Sequence, residues 1–562
     1  MNSSDNNHPL RNSEILFHNV DLPLYHTKKT PEEKFGILRI KMDPKPNASI
    51  LRKIAIIFTI DCSASMTDYC NDNRRKLDHA VQTLIGIMRY LADDTKRCSD
   101  TEVVVAVLSF STRIKRIIDF THIHKDNLAK IIDSISDIYA QDSTNIEIAI
   151  KEADKMLLEY SENNPDTMLY HIQLTDGEVT DGERDHTKLA EMVNSNYTNI
   201  FVGFGKYHDD HLLCKLSKNP KNDYRFIDKL EFSSIVYGEI LYNILYHKYD
   251  TVNIELQGAE IYDWRTNQWG SSLQITNLPY DCERIFQLRA DATIDINTIE
   301  GVLRTFPNLS NESEKQEIYC YPELVDIESG NREIRDLTKY SFRQRTQELL
   351  YEVREFIQEN MKQSKDMDLD QDSQNANNLN PLSVNTSTSE SNTTENIKKN
   401  LYEKCRDFMR TMKEYSEANS LTEDRSLRLL QDDIYIILKT LYRRNAHMWC
   451  TTRQISLGRE HSYQPTQGFD LYDGSLLDTD INMDATLLSP PKLRRNRPKV
   501  YYTTRDPPIY TFALFEHPLN TPDIVGEDSY ELSQNYDMAM MSPSLARTVC
   551  AMSGESNNTT VL

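Results

Sequence analysis

Short oxygen-bearing side chains follow an apolar run near the start of the chain. The run KIAIIFTI at 53–60 leads into the segment DCSAS, in which Asp61, Ser63 and Ser65 occupy alternate positions. Alternate residues of an extended segment point to the same side. Side chains beyond the carboxyl end of a strand in an open α/β sheet face the crevice where such sheets bind ligands. The segment is therefore a candidate binding site with one carboxylate and two hydroxyls.

Two later loops carry the same kind of donor. QDSTN at 141–145 precedes a helical pattern and places Thr144 at the helix start, while LTDG at 174–177 follows another apolar run and contributes Asp176. Oxygen ligands select hard cations, and few charges with several hydroxyls favour Mg²⁺. Two carboxylates nearly neutralise such an ion and leave it able to attract one more carboxylate from outside. We therefore expect a site for Mg²⁺ or Mn²⁺ formed by Asp61, Ser63, Ser65, Thr144 and Asp176.

These loops lie at the boundaries of predicted strands and helices. Between the apolar runs, residues at helical spacing form apolar stripes, as at 77–91 and 146–157. Alternating strands and helices predict a doubly wound, mostly parallel α/β sheet over 52–246, covered on both faces. One run follows its predecessor after only three residues, which predicts an antiparallel hairpin at one edge. The predicted strands lie at 53–60, 102–110, 114–120, 168–175 and 199–205.

The three motifs together resemble a known binding site. DxSxS after a buried strand, a Thr at the start of the helix in STNIEIAI, and LTDG after another strand are similar to the metal-ion-dependent adhesion site of von Willebrand factor A (vWA) domains. The resemblance covers about 52–246 and implies a Rossmann-like domain that recognises partner proteins. Ser143 departs from the Gly that commonly precedes the Thr, which removes no donor. The resemblance implies Ser63 and Ser65 as direct ligands, Thr144 as a direct or water-bridged ligand, and Asp61 and Asp176 largely as anchors behind them.

The chain has 562 residues, which is too many for a single hydrophobic core, so we expect further domains outside the α/β domain. Residues 250–325 contain short strand patterns with turn residues between them, typical of an antiparallel β-sandwich. A strand pattern within 34–46 either completes this sandwich or stands apart. The first alternative would make the α/β domain an insertion between strands of the sandwich.

Helical spacing returns at 337–362 and 397–444, which predicts a small helical bundle. Residues 364–396 include no aromatic residue and consist mainly of Ser, Thr, Asn, Gln and Asp, so we expect a disordered insert. Residues 1–33 are polar and aperiodic and predict a flexible arm. Residues 452–562 predict an irregular tail.

Charge and cysteine content limit the classes of partner. The net charge of −22 repels phosphate backbones, so we expect no nucleic-acid partner. Neither a secretory leader nor an apolar run of bilayer length occurs, so we expect an intracellular, most simply cytoplasmic protein that does not contact membranes. Nine scattered cysteines without a CxxC pair argue against a zinc ribbon or a RING module.

Four other signals each have a chemical and a plainer interpretation. Asp61 could be a phosphotransfer aspartate, although that chemistry usually has a second acid where Ser63 stands. His208 and His211, with Cys214 three residues later, form either a metal pair or the polar start of a helix. The basic run LRRNRPK at 493–499 is either a targeting or anion-binding patch or a solvated tail segment. Cys62, beside the oxygen donors, is either a reactive thiol or a small packed residue.

The sequence as a whole predicts a binding protein and not an enzyme. Its partner would be a protein that supplies an Asp or Glu carboxylate to the metal ion. Two alternatives stay open: a substrate-capturing subunit of an enzyme assembly of the ubiquitin-ligase type that lacks its own catalytic module, and a structural component of a large particle. The identity of the partner, the choice between Mg²⁺ and Mn²⁺, and the oligomeric state are not specified by the residues.

Overall fold

The structure is a computed structural model. It describes residues 10, 13–18, 33–43, 52–69, 74–92, 101–204, 208–227, 233–280, 282–307, 316–325, 337–374, 388–421, 424–441, 446–459 and 461–462. In chain order, the strands are β1 (Glu14–His18), β2 (Glu33–Lys41), β3 (Arg52–Asp61), β4 (Thr101–Phe110), β5 (Ile114–His122), β6 (Thr167–Thr175), β7 (Thr198–Phe204), β8 (Asp223–Ile227), β9 (His247–Gln257), β10 (Glu260–Asp263), β11 (Gln268–Gly270), β12 (Ser272–Pro279), β13 (Glu283–Asp291), β14 (Glu300–Pro307), β15 (Gln316–Cys320), β16 (Pro322–Val325) and β17 (His461–Ser462).

The α-helices are numbered in the same way. They are α1 (Lys76–Ala92), α2 (Lys125–Ser136), α3 (Ile146–Asn163), α4 (His186–Glu191), α5 (Asp210–Leu216), α6 (Ser233–Leu245), α7 (Thr338–Gln374), α8 (Thr388–Ala418), α9 (Arg425–Thr440) and α10 (Ala446–Arg459). A short 3-10 helix, Ala64–Thr67, follows β3. Among the described residues, no helix is both long enough and apolar enough to span a membrane.

A six-stranded sheet in the order β5-β4-β3-β6-β7-β8 forms the centre of the α/β domain. Neighbouring strands are parallel except β5, which is antiparallel to β4. Alternate residues of a strand face opposite sides. Ile56 and Phe58 therefore join one core with α1 and α6, while Ile57 joins a second core with α3. The predicted fold class is confirmed, including the antiparallel edge. The edge strand β8, with only five residues, was not predicted.

The β-domain is built from strands on both sides of the α/β domain. β2 pairs antiparallel with β13 over nine residues, and β1 pairs with β2 and β16. A second sheet, in the order β12-β9-β14-β15, shares an apolar core with the first. The chain thus leaves the β-domain after β2 and returns to it at β9. The prediction that 1–33 is a flexible arm is wrong for Glu14–His18, because ILF is buried in β1 but is too short to show a period.

The four helices α7 to α10 pack around one apolar core. α7 extends to Gln374 and α8 begins at Thr388, so both enter the segment 364–396 that was predicted to be disordered. Residues 375–387, the remainder of that segment, lie outside the described residues. The basic run at 493–499 and most of the predicted tail also lie outside them.

α10 shows that the predicted irregular tail begins too early. Residues 452–459 are helical, and α10 packs on α7 while also touching α5 and β8 of the α/β domain. It also reaches the β-domain, where Gln454 donates a 2.7 Å hydrogen bond to the carbonyl of Trp264. A helix covered on several sides buries polar residues such as Thr451 and Gln454 along with apolar ones. Its sequence therefore lacks the single apolar stripe that identifies a surface helix.

Candidate functional site

Asp61 lies at the carboxyl end of β3, next to the end of the parallel strand β6. Its side chain is fully buried, and both carboxylate oxygens accept hydrogen bonds. One accepts from the backbone N–H of Ser63 at 2.8 Å, and the other from the hydroxyl of Thr175 at 2.6 Å. Burial, helped by the charge of Asp176, raises the pKa of Asp61 to about 6 in spite of these hydrogen bonds, which act to lower it. Asp61 therefore orders the turn that follows β3.

The two serines of that turn form a chain of hydrogen bonds with Asp176. The hydroxyl oxygens of Ser63 and Ser65 lie 3.0 Å apart, and the Ser65 hydroxyl donates to Oδ1 of Asp176 at 2.8 Å. Lys76, in the first turn of α1, donates to Oδ2 of Asp176 at 2.6 Å. Sequence reasoning missed Lys76, since it lies 11 residues beyond Ser65 with no regular spacing to the motif.

Thr144 reaches the same place from the start of α3. Its backbone N–H donates to the hydroxyl of Thr180 at 2.7 Å, and its carbonyl accepts from the N–H groups of Thr180 and Asp181. The loop before it is joined to the serine turn by a 3.0 Å hydrogen bond from the N–H of Ala64 to the carbonyl of Asp142. These backbone contacts fix Thr144 relative to both neighbouring loops.

Gly177 keeps a small space open between the hydroxyls of Ser65 and Thr144. A Cβ atom at Gly177 would stand 3.5 Å from Oγ of Ser65 and 3.7 Å from Oγ1 of Thr144. All five predicted side chains are thus brought together at one edge of the sheet. We call this set the oxygen cluster: Asp61, Ser63, Ser65, Thr144 and Asp176.

The donors of the oxygen cluster fit a hard divalent cation. Hydroxyl and carboxylate oxygens are the ligands that Mg²⁺ and Mn²⁺ accept. Ser65 is partly exposed while the other four side chains are buried, so the cluster opens toward solvent on the Ser65 side. The space beside Gly177 is flanked by two of these hydroxyls, those of Ser65 and Thr144.

The other sequence candidates are placed differently. His208 hydrogen-bonds to the hydroxyl of Tyr224 and stacks on Phe226, so it does not pair with His211. His211 instead stacks on His447 of α10.

The thiol of Cys62 is buried and directed at the carbonyl of Ile60. Burial raises its pKa to about 12, which keeps the thiol protonated and unreactive. Cys62 is therefore a small packed residue and not a reactive thiol.

Comparison with known proteins decides the class of the α/β domain. The family model described as von Willebrand factor type A domain matches residues 55–236. These residues form a vWA domain. Domains of this family are protein-interaction modules. The match covers the oxygen cluster and ends within α6, so the β-domain and the helical bundle lie outside it.

Solved structures with similar folds come from several organisms. A von Willebrand factor type A protein from Catenulispora acidiphila is 13% identical and has a TM-score of 0.41, with 63% of this chain and 82% of that chain covered. The ArnB paralog VWA2 from Sulfolobus acidocaldarius is 14% identical with the same TM-score of 0.41, and 80% and 99% of the two chains are covered. The PilB minor pilin from Streptococcus sanguinis is 14% identical with a TM-score of 0.26, and 39% and 75% are covered. No curated protein matches the chain.

Proposed function

We propose that this protein is a metal-dependent recognition module that binds an acidic side chain of a partner protein. The observation that carries the proposal is the arrangement of Ser63, Ser65 and Asp176 in one hydrogen-bonded chain, with Thr144 across the space beside Gly177. Such a set of hydroxyl and carboxylate oxygens suits Mg²⁺ or Mn²⁺. The vWA match over residues 55–236 supports a role in protein interaction.

Each residue of the oxygen cluster has a distinct task in this proposal. Ser63, Ser65 and Thr144 hold the cation through their hydroxyls. Asp61 and Asp176 orient those hydroxyls and supply negative charge. When bound, the ion attracts an Asp or Glu carboxylate of the partner, since the ammonium group of Lys76 offsets one of the two carboxylates of this chain and leaves net positive charge at the site. The partly exposed Ser65 is where that carboxylate would approach.

The proposal is for a binding protein that performs no catalysis of its own and acts inside the cell.

Metal binding by the oxygen cluster is tested first. Mg²⁺ titration by calorimetry should give one site in the wild type, and Ser65→Ala should weaken it at least about tenfold, because one ligand is lost. Thr67→Ala is the matched control, since its hydroxyl lies in the same 3-10 helix but donates only to the carbonyl of Ala64. Equal Mg²⁺ affinity in wild type and Ser65→Ala contradicts the proposed site.

Partner recognition is tested by affinity capture with the same three proteins. Captured proteins are compared by mass spectrometry in Mg²⁺ and in chelator. Partners that bind wild type and Thr67→Ala in Mg²⁺, but neither Ser65→Ala nor chelated protein, support metal-dependent recognition. Partners that bind under every condition contradict it and indicate a scaffold.

A further inference from the structure

A second group of metal-ligating side chains lies where the helical bundle meets the vWA domain. Asp210 and His211 begin α5, and His447 is the second residue of α10. One ligand atom from each of the three lies within 4.8 Å of the others. We call these three residues the histidine cluster. It shares no residue with the oxygen cluster, and the proposed function does not use it.

The cluster is compact, with Asp210 and His447 buried and His211 partly exposed. Oδ2 of Asp210 and Nδ1 of His447 lie 2.5 Å apart, and both side chains are largely buried. The rings of His211 and His447 are stacked with centroids 3.7 Å apart and planes inclined by 19°.

The cluster also faces a cavity. The cavity has a volume of 1380 Å³ and is lined by all three side chains. Its walls come from the vWA domain, the β-domain and the bundle, and include His186, Asp209 and Trp264. A metal ion held by the three residues would therefore keep a coordination position open to the cavity.

We propose that Asp210, His211 and His447 bind a transition-metal ion of the Zn²⁺ class and so join the bundle to the vWA domain. Two imidazole nitrogens and one carboxylate oxygen form a ligand set that Zn²⁺ accepts, with the fourth position left for water or a small ligand. Mg²⁺ prefers oxygen ligands, so the two clusters select different ions. His186 lies on the same cavity wall but is paired with Asp209 at 3.0 Å, so it stays outside the ligand set.

The alternative is that no metal ion binds and that the Asp210–His447 hydrogen bond alone joins the bundle to the vWA domain. In that case His211 contributes only stacking, and its removal weakens no stoichiometric Zn²⁺ site. His211→Ala is therefore the decisive variant, because it removes one ligand and leaves the buried hydrogen bond intact. His447→Asn is the second variant, since its amide can still donate to Asp210 but cannot replace an imidazole ligand. His186→Ala is the control, a histidine of the same cavity wall outside the cluster.

The experiment uses the full chain, stripped with chelator and returned to saturating Mg²⁺. Zn²⁺ titration should give one equivalent bound, and Co²⁺ in its place should produce visible absorption of a low-coordinate site. His211→Ala and His447→Asn should each weaken Zn²⁺ binding at least about 100-fold, while His186→Ala and the oxygen-cluster variant Ser65→Ala keep wild-type affinity. Absence of a stoichiometric Zn²⁺ site in the wild type, or unchanged affinity in His211→Ala, overturns the proposal. Loss of Mg²⁺ binding in Ser65→Ala with Zn²⁺ binding intact separates this result from the proposed function.

Discussion

The ammonium group of Lys76 lies 2.6 Å from Oδ2 of Asp176, a carboxylate that is completely buried. Burial acts to lower the pKa of Lys76, but the hydrogen bond and charge of Asp176 outweigh it, and the pKa is raised. The lysine therefore stays charged and neutralises Asp176 from within the chain. A divalent ion bound by the oxygen cluster would lie beside this positive charge.

Lys76→Met should make the stability of the folded protein depend more strongly on bound Mg²⁺. Without Mg²⁺, the variant should lose about 1–3 kcal/mol of unfolding free energy, because a buried carboxylate loses its partner. Its Mg²⁺ affinity should rise, because a neighbouring cation is gone. Thermal unfolding with and without MgCl₂ measures both effects. Lys155→Met is the control, since its ion pair with Glu159 is exposed. An equal Mg²⁺-induced rise in melting temperature in both variants would show that Lys76 does not influence the metal site.

Gly177→Ala tests the space between the two hydroxyls. The added Cβ makes only ordinary contacts at 3.5 and 3.7 Å, so metal-free stability should stay within about 1 kcal/mol of the wild type. The stabilisation by Mg²⁺ should fall, because the methyl group occupies space beside Ser65 and Thr144. Gly270→Ala is the control, with similarly loose contacts in the β-domain. Full retention of Mg²⁺ stabilisation in Gly177→Ala would place the ion elsewhere.

The oxygen cluster was predictable because its members follow strand ends or open a helix within short, recognisable segments. Parallel pairing of β3 with β6 then brings Asp61 and Asp176 to one edge, which an α/β pattern already implies. Lys76 was not predictable, since a lysine in a helical first turn is common and only the folded contact shows its role.

The histidine cluster depends on contacts that no local pattern contains. His447 contacts Asp210 across 237 residues of chain, and α10 lacks a clear apolar stripe because it is covered on several sides. The sequence suggested a pair of His208 and His211, yet His208 lies before α5 and His211 within it, so a spacing of three residues does not fix where each ring points. The strand β1 was missed for a related reason, since three buried apolar residues are too few to form a pattern.

Gly182→Ala should weaken the start of α3. Gly182 has a φ of +75°, and a Cβ there would lie 2.5 Å from Oδ1 of Asn145. That oxygen caps α3 by accepting from the N–H of Ile148. The variant should lose about 1–3 kcal/mol of stability through strain and the lost cap, and it should bind Mg²⁺ less tightly because Thr144 adjoins the cap.

Gly258→Ala is the matched control for this change. Gly258 has a φ of +81°, so the backbone strain is similar, but its neighbours belong to the β-domain. Denaturant unfolding and Mg²⁺ titration should show lost stability in both variants and weakened Mg²⁺ binding only in Gly182→Ala. Weakened binding in both would trace the effect to general destabilisation.

His171 should make the vWA domain sensitive to acid. Its ring is buried in β6 between the hydroxyl of Thr59 and the amide of Asn199, and burial lowers its pKa to about 4. The unfolded chain takes up a proton near pH 6.5, so the unfolded state binds more protons between pH 6.5 and 4. The stability from the neutral ring is fully present above pH 6.5 and falls as the pH decreases toward 4.

Unfolding in denaturant from pH 7.5 to 4.5 measures this slope. His171→Gln should reduce it, while His122→Gln, on the exposed edge strand β5, should not. The same slope in His171→Gln as in the wild type would assign the acid sensitivity to other groups.

The last prediction concerns the helical bundle, whose core combines residues from both sides of the segment 375–387. Leu349 and Val353 of α7 pack in the same cluster as Cys405 and Met412 of α8 and Ile434 of α9. α10 adds contacts to α7, including a 2.7 Å hydrogen bond from Arg343 to the carbonyl of Leu457.

A protease site inserted between residues 380 and 381 should therefore allow complete cleavage without separation of the fragments. Burying several large apolar side chains, at about 1.5–3 kcal/mol each, offsets the entropy gained on release. The two pieces should coelute on gel filtration and separate only in denaturant. Leu349→Asp in the same background places a charge in the shared core and should release the C-terminal fragment after cleavage, because a buried unpaired carboxylate is costly. Coelution of the Leu349→Asp fragments, or separation of the wild-type ones, would mean that the shared core does not hold the two halves together.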